Sequence, residues 1–356
     1  MNKLSVEIVT SKSPKSTISS YWRFLKHCPN SLVQQSWQWA RGIEAMGKDS
    51  WVLFLAKKQG RIVGALSTFI FRHRLGTSLN SIPYPGPMGG IATDISKDHA
   101  STIYEILLGH LVAFGRQNNI DLLTTITSPF QNDIYLYERY LNPTHILKNF
   151  TQYVDLKNPL RFSHGIRQRI RKTDSSSYQI WEDDKISIIK QWWLIYRLRM
   201  RELGVRPIPL QFFLSIRENL APKNARFFFI NVEEKLVGGC VYIFHRDILD
   251  VYMLSCLSRY NSLSPATLLT YQTIAWARKK GFRIYNFQSS KRRGDGVYQF
   301  KAQWGAVEAP YYFVTKVLHK AKLEGMLDVP FERITTGYRW HYLLPYYMWG
   351  LVDKPV

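Results

Sequence analysis

Residues Trp51 to Arg72 read WVLFLAKKQGRIVGALSTFIFR, and residues Arg226 to Arg246 read RFFFINVEEKLVGGCVYIFHR. Each is an apolar run, a charged turn, a small-residue step ending at Gly64 or at Gly238 and Gly239, and a second apolar run. β-Branched and aromatic runs on either side of a polar turn predict a β-hairpin. The chain therefore predicts two of them, about 170 residues apart.

Downstream of each hairpin the pattern repeats as a helix and then a strand. In the first half Ile103, Leu107, Leu111 and Phe114 fall at helical spacing, the helix stops near Asn118-Asn119, and 120–126 is strand-like. In the second half Ser264 is a predicted cap, Pro265 suits the first helical position and the helix runs to Lys280. Gly281 suits the left-handed position after it, and 282–287 is the strand. The hairpin glycines Gly64 and Gly238 are offset by 174, the helix ends by 162. Offsets that close mark an internal duplication of an α+β unit. The expected domains are 1–150 and 151–314, joined by a linker over 149–158. Residues 315–356 follow, with a helix expected from about 315 through Lys316-Val317 to Leu323.

The chain has 356 residues, 46% of them hydrophobic and 14% aromatic, enough for two real cores. It carries 48 Lys+Arg against 26 Asp+Glu, a formal charge of +22, which concentrates polyanions such as RNA, nucleotide-linked sugars or acidic lipid headgroups. Cys28, Cys240 and Cys256 have neither disulfide-framework nor zinc spacing, and the N-terminus has no signal-peptide pattern, so a cytoplasmic location is expected. The aromatic stretch 340–352 is too short to span a bilayer. Packing on the core and peripheral contact with the inner face of the membrane are its two readings.

No GxSxG elbow, HExxH pair or GxxxxGK(S/T) loop occurs, and the nine histidines are scattered. Covalent and metal mechanisms lose their usual signatures, and no metal is expected. Five basic or aromatic stretches remain. Gly296-Val297-Tyr298-Gln299-Phe300-Lys301-Ala302-Gln303-Trp304-Gly305-Ala306 sets one lysine between aromatics ahead of a glycine turn. Ser289-Ser290-Lys291-Arg292-Arg293-Gly294-Asp295-Gly296 is a basic loop suited to phosphates. RFSHGIRQRIRK, residues 161–172, masses Arg167, Arg169, Arg171 and Lys172. Gln34-Gln35-Ser36-Trp37-Gln38-Trp39-Ala40-Arg41 and Arg201-Glu202-Leu203-Gly204 complete the set. The structural reading of each is plain: an exposed strand lysine at Lys301, a solvated loop or helix face, a core tryptophan at Trp39, a salt-bridged helix end at Arg201.

The Gly296–Ala306 wording resembles the "FK…(F/W)G" signature of the Fem family of peptidyl ligases. The hairpin, helix and strand order resembles the GNAT core, two of which are fused in that family. The resemblance implies two tandem GNAT-like domains in a mixed α/β chain, with the C-terminal segment returning to the first domain. It also implies transfer of an aminoacyl group from a charged tRNA onto an amine of a peptidoglycan-type precursor in an inter-domain groove. The family's Phe-Lys pair falls on Phe300 and Lys301, and Lys301 is expected to stabilise the oxyanion of the tetrahedral intermediate. Arg41, with Trp39 beside it, stands in the family's "QS..W(G/A)K" opening, and Arg201 in its "RxG" step. Both arginines are expected to hold phosphates of a nucleotide- or lipid-linked sugar, with Arg292 and Arg293 beside them. Arg167, Arg169, Arg171 and Lys172 fall on its arginine-rich segment, expected to meet tRNA.

Two departures bear on the substrates. The family's "PRGP" loop reads Pro83-Tyr84-Pro85-Gly86-Pro87, and its "YDF.G" strand reads Tyr285-Asn286-Phe287-Gln288-Ser289. The glycine-rich CoA loop of ordinary GNAT enzymes is replaced by Arg259-Tyr260-Asn261-Ser262-Leu263-Ser264-Pro265-Ala266, where proline removes a donor. Charged tRNA is thus the expected donor, with no tightly bound cofactor. An acyl-CoA-dependent N-acyltransferase acting on an envelope or capsule precursor is the alternative, and a non-catalytic RNA-binding protein is the third reading.

Overall fold

The computed structural model describes residues 4–29, 31–47, 50–73, 76–81, 86, 88–94, 100–172, 178–290 and 292–319. Residues up to Asn149, with the described stretch from Pro310, form one compact unit, and Phe150–Ala309 forms another. In chain order come β1 (Leu4–Thr10), α1 (Lys15–His27), α2 (Trp37–Glu44), β2 (Ser50–Lys58), β3 (Arg61–His73), β4 (Gly76–Asn80) and β5 (Ile91–Thr93). Then follow α3 (Ser101–Gln117), β6 (Leu122–Ile126), α4 (Ile134–Leu141) and β7 (His145–Asp155). The second unit adds α5 (His164–Lys172), β8 (Tyr178–Glu182), α6 (Ile186–Glu202), α7 (Leu210–Leu220), β9 (Ala225–Val232), β10 (Lys235–His245) and β11 (Ile248–Cys256). It closes with α8 (Pro265–Lys279), β12 (Ile284–Ser289) and α9 (Gly296–Ala302), before β13 (Val307–Val317).

The first unit orders its strands β1-β2-β3-β4-β6-β13, with β5 against β3. The second orders them β7-β12-β11-β10-β9-β8. The two expected hairpins are β2–β3 and β9–β10, and each carries a one-residue bulge at the same point of its grammar. Val63 is the extra residue in the first and Val237 in the second, each just before the hairpin glycine. A bulge kinks and twists a strand, and the glycine beside it admits a close neighbour. A Cβ on Gly64 would stand 2.3 Å from Ile103 of α3, and one on Gly238 would stand 2.3 Å from the Cys256 sulfur. Duplication thus extends to an irregularity that simple alternation cannot encode.

Each unit also has one short parallel pairing after its hairpin. β4 pairs β6 over Ser78–Asn80 and Leu122–Thr124, and β11 pairs β12 over Ile248–Asp250 and Ile284–Asn286. The crossovers are α3 and α8. Ile103, Leu107 and Leu111 of α3 are buried with Phe54, Leu66 and Leu123. Leu268, Leu269 and Ile274 of α8 are buried with Phe228, Tyr242 and Tyr285. Asn119 and Gly281, just past the two helix ends, both take positive φ, +52° and +82°.

Three expectations change. The segment 149–158 is not a linker, since β7 covers most of it and pairs antiparallel with β12 from Thr151 to Asp155. Its Thr151, Tyr153 and Val154 suit a strand better than the flanking asparagines suggested. Ser264 does stand at the start of α8, but in left-handed conformation (φ +53°) with no side-chain cap bond. Lys316 and Val317, expected in a helix, end β13, whose Thr315 side chain meets Thr124 of β6. Residues 320–323 of that expected helix, the aromatic stretch 340–352 and all of the 83–87 loop but Gly86 lie outside the described residues.

Candidate active site

β11 and β12 lie side by side only as far as Asp250 and Asn286, although both run on, to Cys256 and Ser289. Pairing stops there, so the strands part. At the last paired position the two side chains are buried and joined. Asn286 Nδ2 donates to Asp250 Oδ1 at 2.5 Å, and Asn286 Oδ1 accepts from the Thr151 hydroxyl at 2.6 Å and from the Gln288 amide at 3.1 Å. The β7–β12 register breaks between Asn286 and Ser289, and Gln288 takes φ +65°. This costs a non-glycine residue energy. It also turns two consecutive carbonyls to one side.

Lys301 takes both of them. Its Nζ donates to the Gln288 carbonyl at 2.9 Å and to the Ser289 carbonyl at 2.7 Å, and the residue is only 6% exposed. Burial pushes its ammonium down to about 7, while nearby Asp295 pulls the other way. Lys301 belongs to α9, a two-turn helix capped by Asp295, whose Oδ1 accepts the Tyr298 amide at 2.7 Å. Phe300 and Trp304 anchor the helix to the core. The fully buried Trp304 sits 5.1 Å edge-on from Phe162 and 6.1 Å from Phe300. The turn closing α9 needs glycine, because Gly305 has φ +75° and a Cβ there would stand 2.8 Å from the Arg161 carbonyl. The lysine is thus neither exposed nor on a strand.

Asp295→Ala is expected to cost about 1 kcal/mol of stability, the usual worth of a helix cap. Losing its carboxylate also removes the charge that raises the Lys301 pKa. The lysine should then lose its proton at lower pH, which a pH titration followed by 15N NMR of the lysine side chain would read.

The other candidates fall at separate places. Arg292 is exposed, and Lys291 lies outside the described residues. Arg293 is engaged within the second unit, bidentate to Glu308 at 2.8 and 2.7 Å with its guanidinium 4.6 Å from the Phe150 ring centre. On α5, Arg167, Arg171 and Lys172 are exposed, whereas the half-buried Arg169 bonds the Gly165 carbonyl and the Gln303 side chain. That ties α5 to the end of α9. Arg201 is exposed in the last turn of α6, where the acid Glu202 is taken by Arg199 at 2.7 Å and by the Ser258 hydroxyl.

In the first unit, Ser36 caps α2 by accepting the Trp39 amide at 3.2 Å. Trp39 has no exposed surface and lies under Gly86, so it shapes the core rather than lining a site. Arg41 is exposed, 3.7 Å from Glu44, and lines a cleft of about 530 Å³ with Lys12, Lys15, Trp37 and Trp51.

Asp250, Asn286, Thr151 and Gln288 had no place among the sequence candidates. One signal was readable: Asp250 is a lone carboxylate inside the apolar run ILDVYML. Its partner on the next strand is not.

Residues 161–302 match the Acetyltransferase (GNAT) domain family. No curated protein sequence matches the chain. Among solved structures, FemX superposes with a TM-score of 0.69 at 11% identity, over 89% of this chain and 99% of its own. A tandem GNAT protein from the clavulanic acid biosynthesis pathway gives 0.53 at 12% identity, over 87% and 97%. L-PGS from Bacillus licheniformis gives 0.58 at 10%, over 88% and 96%. In fold the chain is similar to FemX and to the tandem GNAT protein, and residues 161–302 match the GNAT domain family.

Proposed function

We propose that the protein transfers an aminoacyl or acyl group onto an amine of a cell-envelope precursor, with Lys301 as the group that meets the developing oxyanion. The observation that carries this reading is a buried lysine fixed by two carbonyls beside the point where β11 and β12 part. Two of its three N–H groups are used on those carbonyls. The third is left for an oxygen that gains charge, a pre-organised donor in a poorly solvated setting.

The acceptor nitrogen attacks the activated carbonyl carbon, and the carbonyl π pair moves to oxygen and is held there. The pair returns as the bond to the leaving oxygen breaks, and the proton lost by the amine ends on that leaving group. The donor ester is already reactive, so alignment supplies much of the rate. Arg201 in the second unit would hold a phosphate of the acceptor, and Arg41, in its own cleft of the first unit, is a separate phosphate-binding candidate, as the Fem resemblance implies.

Charged tRNA is the donor that the α8 entry favours. The residues before α8 form a 3-10 turn over Ser258–Leu263 without glycine, and Pro265 opens the helix without an N–H. A CoA diphosphate would therefore find fewer amides there. The parting strands still suit an extended acyl arm, which keeps acyl-CoA as the second reading. Isothermal titration with CoA beside charged tRNA separates the two, since tight CoA binding would sink the tRNA reading. The acceptor is identified by mass spectrometry of envelope precursors from cells with and without the protein.

On α5 the exposed Arg167, Arg171 and Lys172 suit phosphate contacts, which position an RNA without reading its sequence. Changing these three to glutamine is expected to weaken tRNA binding and to lower the slope of log K against log salt by about one for each phosphate no longer neutralised. An unchanged slope in a filter-binding series would remove α5 from the interface.

A further inference from the structure

We infer that the outer face of α6 and the turn after it form a docking surface for an anionic lipid bilayer. Among the described residues eleven large hydrophobic side chains are exposed, and five of them, Ile186, Leu194, Leu198, Leu203 and Val205, fall within 186–205. Leu194 and Leu198 are one helical turn apart and 51% and 45% exposed. They face away from Ile189, Trp192, Ile195 and Tyr196, which bury the opposite side of the helix.

Charge decides what covers this face. Residues 190–206 contain Lys190, Arg197, Arg199, Arg201 and Arg206 against one acid, Glu202, which Arg199 and Ser258 already engage. At 100° per residue, Lys190, Arg197 and Arg201 run along one flank of the Leu194–Leu198 stripe. Arg197 holds its guanidinium 5.0 Å from the Trp193 ring centre, a cation–π contact that fixes this charge beside the stripe. An apolar stripe beside a cationic flank is the composition of a helix lying in a lipid interface, where leucines enter the acyl boundary and cations meet anionic headgroups. A second copy of this chain would bring the same cations face to face, which disfavours it.

Co-sedimentation of the full chain with vesicles of phosphatidylglycerol and phosphatidylcholine, beside vesicles of phosphatidylcholine alone, tests the inference. Binding is expected on the anionic vesicles only, weakening as salt rises. Leu194→Ser with Leu198→Ser should lower the partition coefficient at least about fivefold, and Lys190→Gln with Arg197→Gln about tenfold or more. Both pairs should keep the melting temperature and the secondary structure. Equal binding to both vesicle types, or wild-type partitioning by the leucine pair, would overturn the inference. So would a concentration-dependent dimer in sedimentation velocity that the leucine pair abolishes, or RNA binding lost with the cation pair while vesicle binding stays.

Discussion

Lys301→Ala is expected to lower acyl transfer at least about tenfold, roughly 1.4 kcal/mol of barrier. The loss should fall on turnover rather than on binding, because the lysine's worth lies in a charge present only in the transition state. Single-turnover rates at saturating donor and acceptor measure it, and an unchanged rate removes Lys301 from the mechanism. The acting form is the ammonium, and burial brings its pKa down to about 7. The wild-type rate should therefore carry a limb that falls as pH rises through about 7, on top of the rising limb of the acceptor amine. Lys301→Arg, which keeps its proton, should lack the falling limb whatever activity it retains. A limb that rises through about 7 and vanishes in Lys301→Arg would instead make the neutral lysine a base.

The same burial shapes stability, with the opposite sign. The unfolded chain holds the Lys301 proton up to about the ordinary 10.5, the folded chain only to about 7. Between those values the unfolded state binds more protons, so this group makes stability rise with pH. Urea unfolding of Lys301→Met should show a smaller rise across that window.

Trp304→Ala is expected to cost about 3–5 kcal/mol, the range for emptying a large aromatic site from a core. The indole is fully buried against Phe162 and Phe300, and it holds α9 one turn below Lys301. Its Nε1 has no hydrogen-bond partner among the described residues. Trp304→Phe should therefore cost clearly less, since it removes an unmet donor and keeps most of the ring. Urea midpoints of the two variants check the order. Equal losses would mean that the indole nitrogen is bonded in solution. Activity in Trp304→Ala should fall even where the chain is folded, because the lysine seat rests on that helix.

The duplicated hairpins, the helices after them and their stops could be read from the amino acids, because hydrophobic period and punctuation by Asn118-Asn119 and Gly281 are local properties. So could the weight placed on Lys301 between aromatics. The strand character of 149–155 is obscured because Asn149 and Asn158, at the two ends of the stretch 149–158, look like a linker until β12 is found beside Thr151–Asp155. The helical state of Gly296–Ala302 was hidden for a related reason, since seven residues carry little period and the Asp295 cap went unread.

Local sequence therefore determined the repeat, the α+β class and which lysine to watch. Tertiary structure alone decided that this lysine is buried, what clamps it, and where β11 and β12 stop pairing. Its two carbonyl partners lie where Gln288 takes φ +65° and the register with β7 breaks. The joined Asp250 and Asn286 mark the end of a pairing between strands 36 residues apart in sequence. Desolvation and strand register are properties of the packed whole, and no single stretch of the chain encodes either.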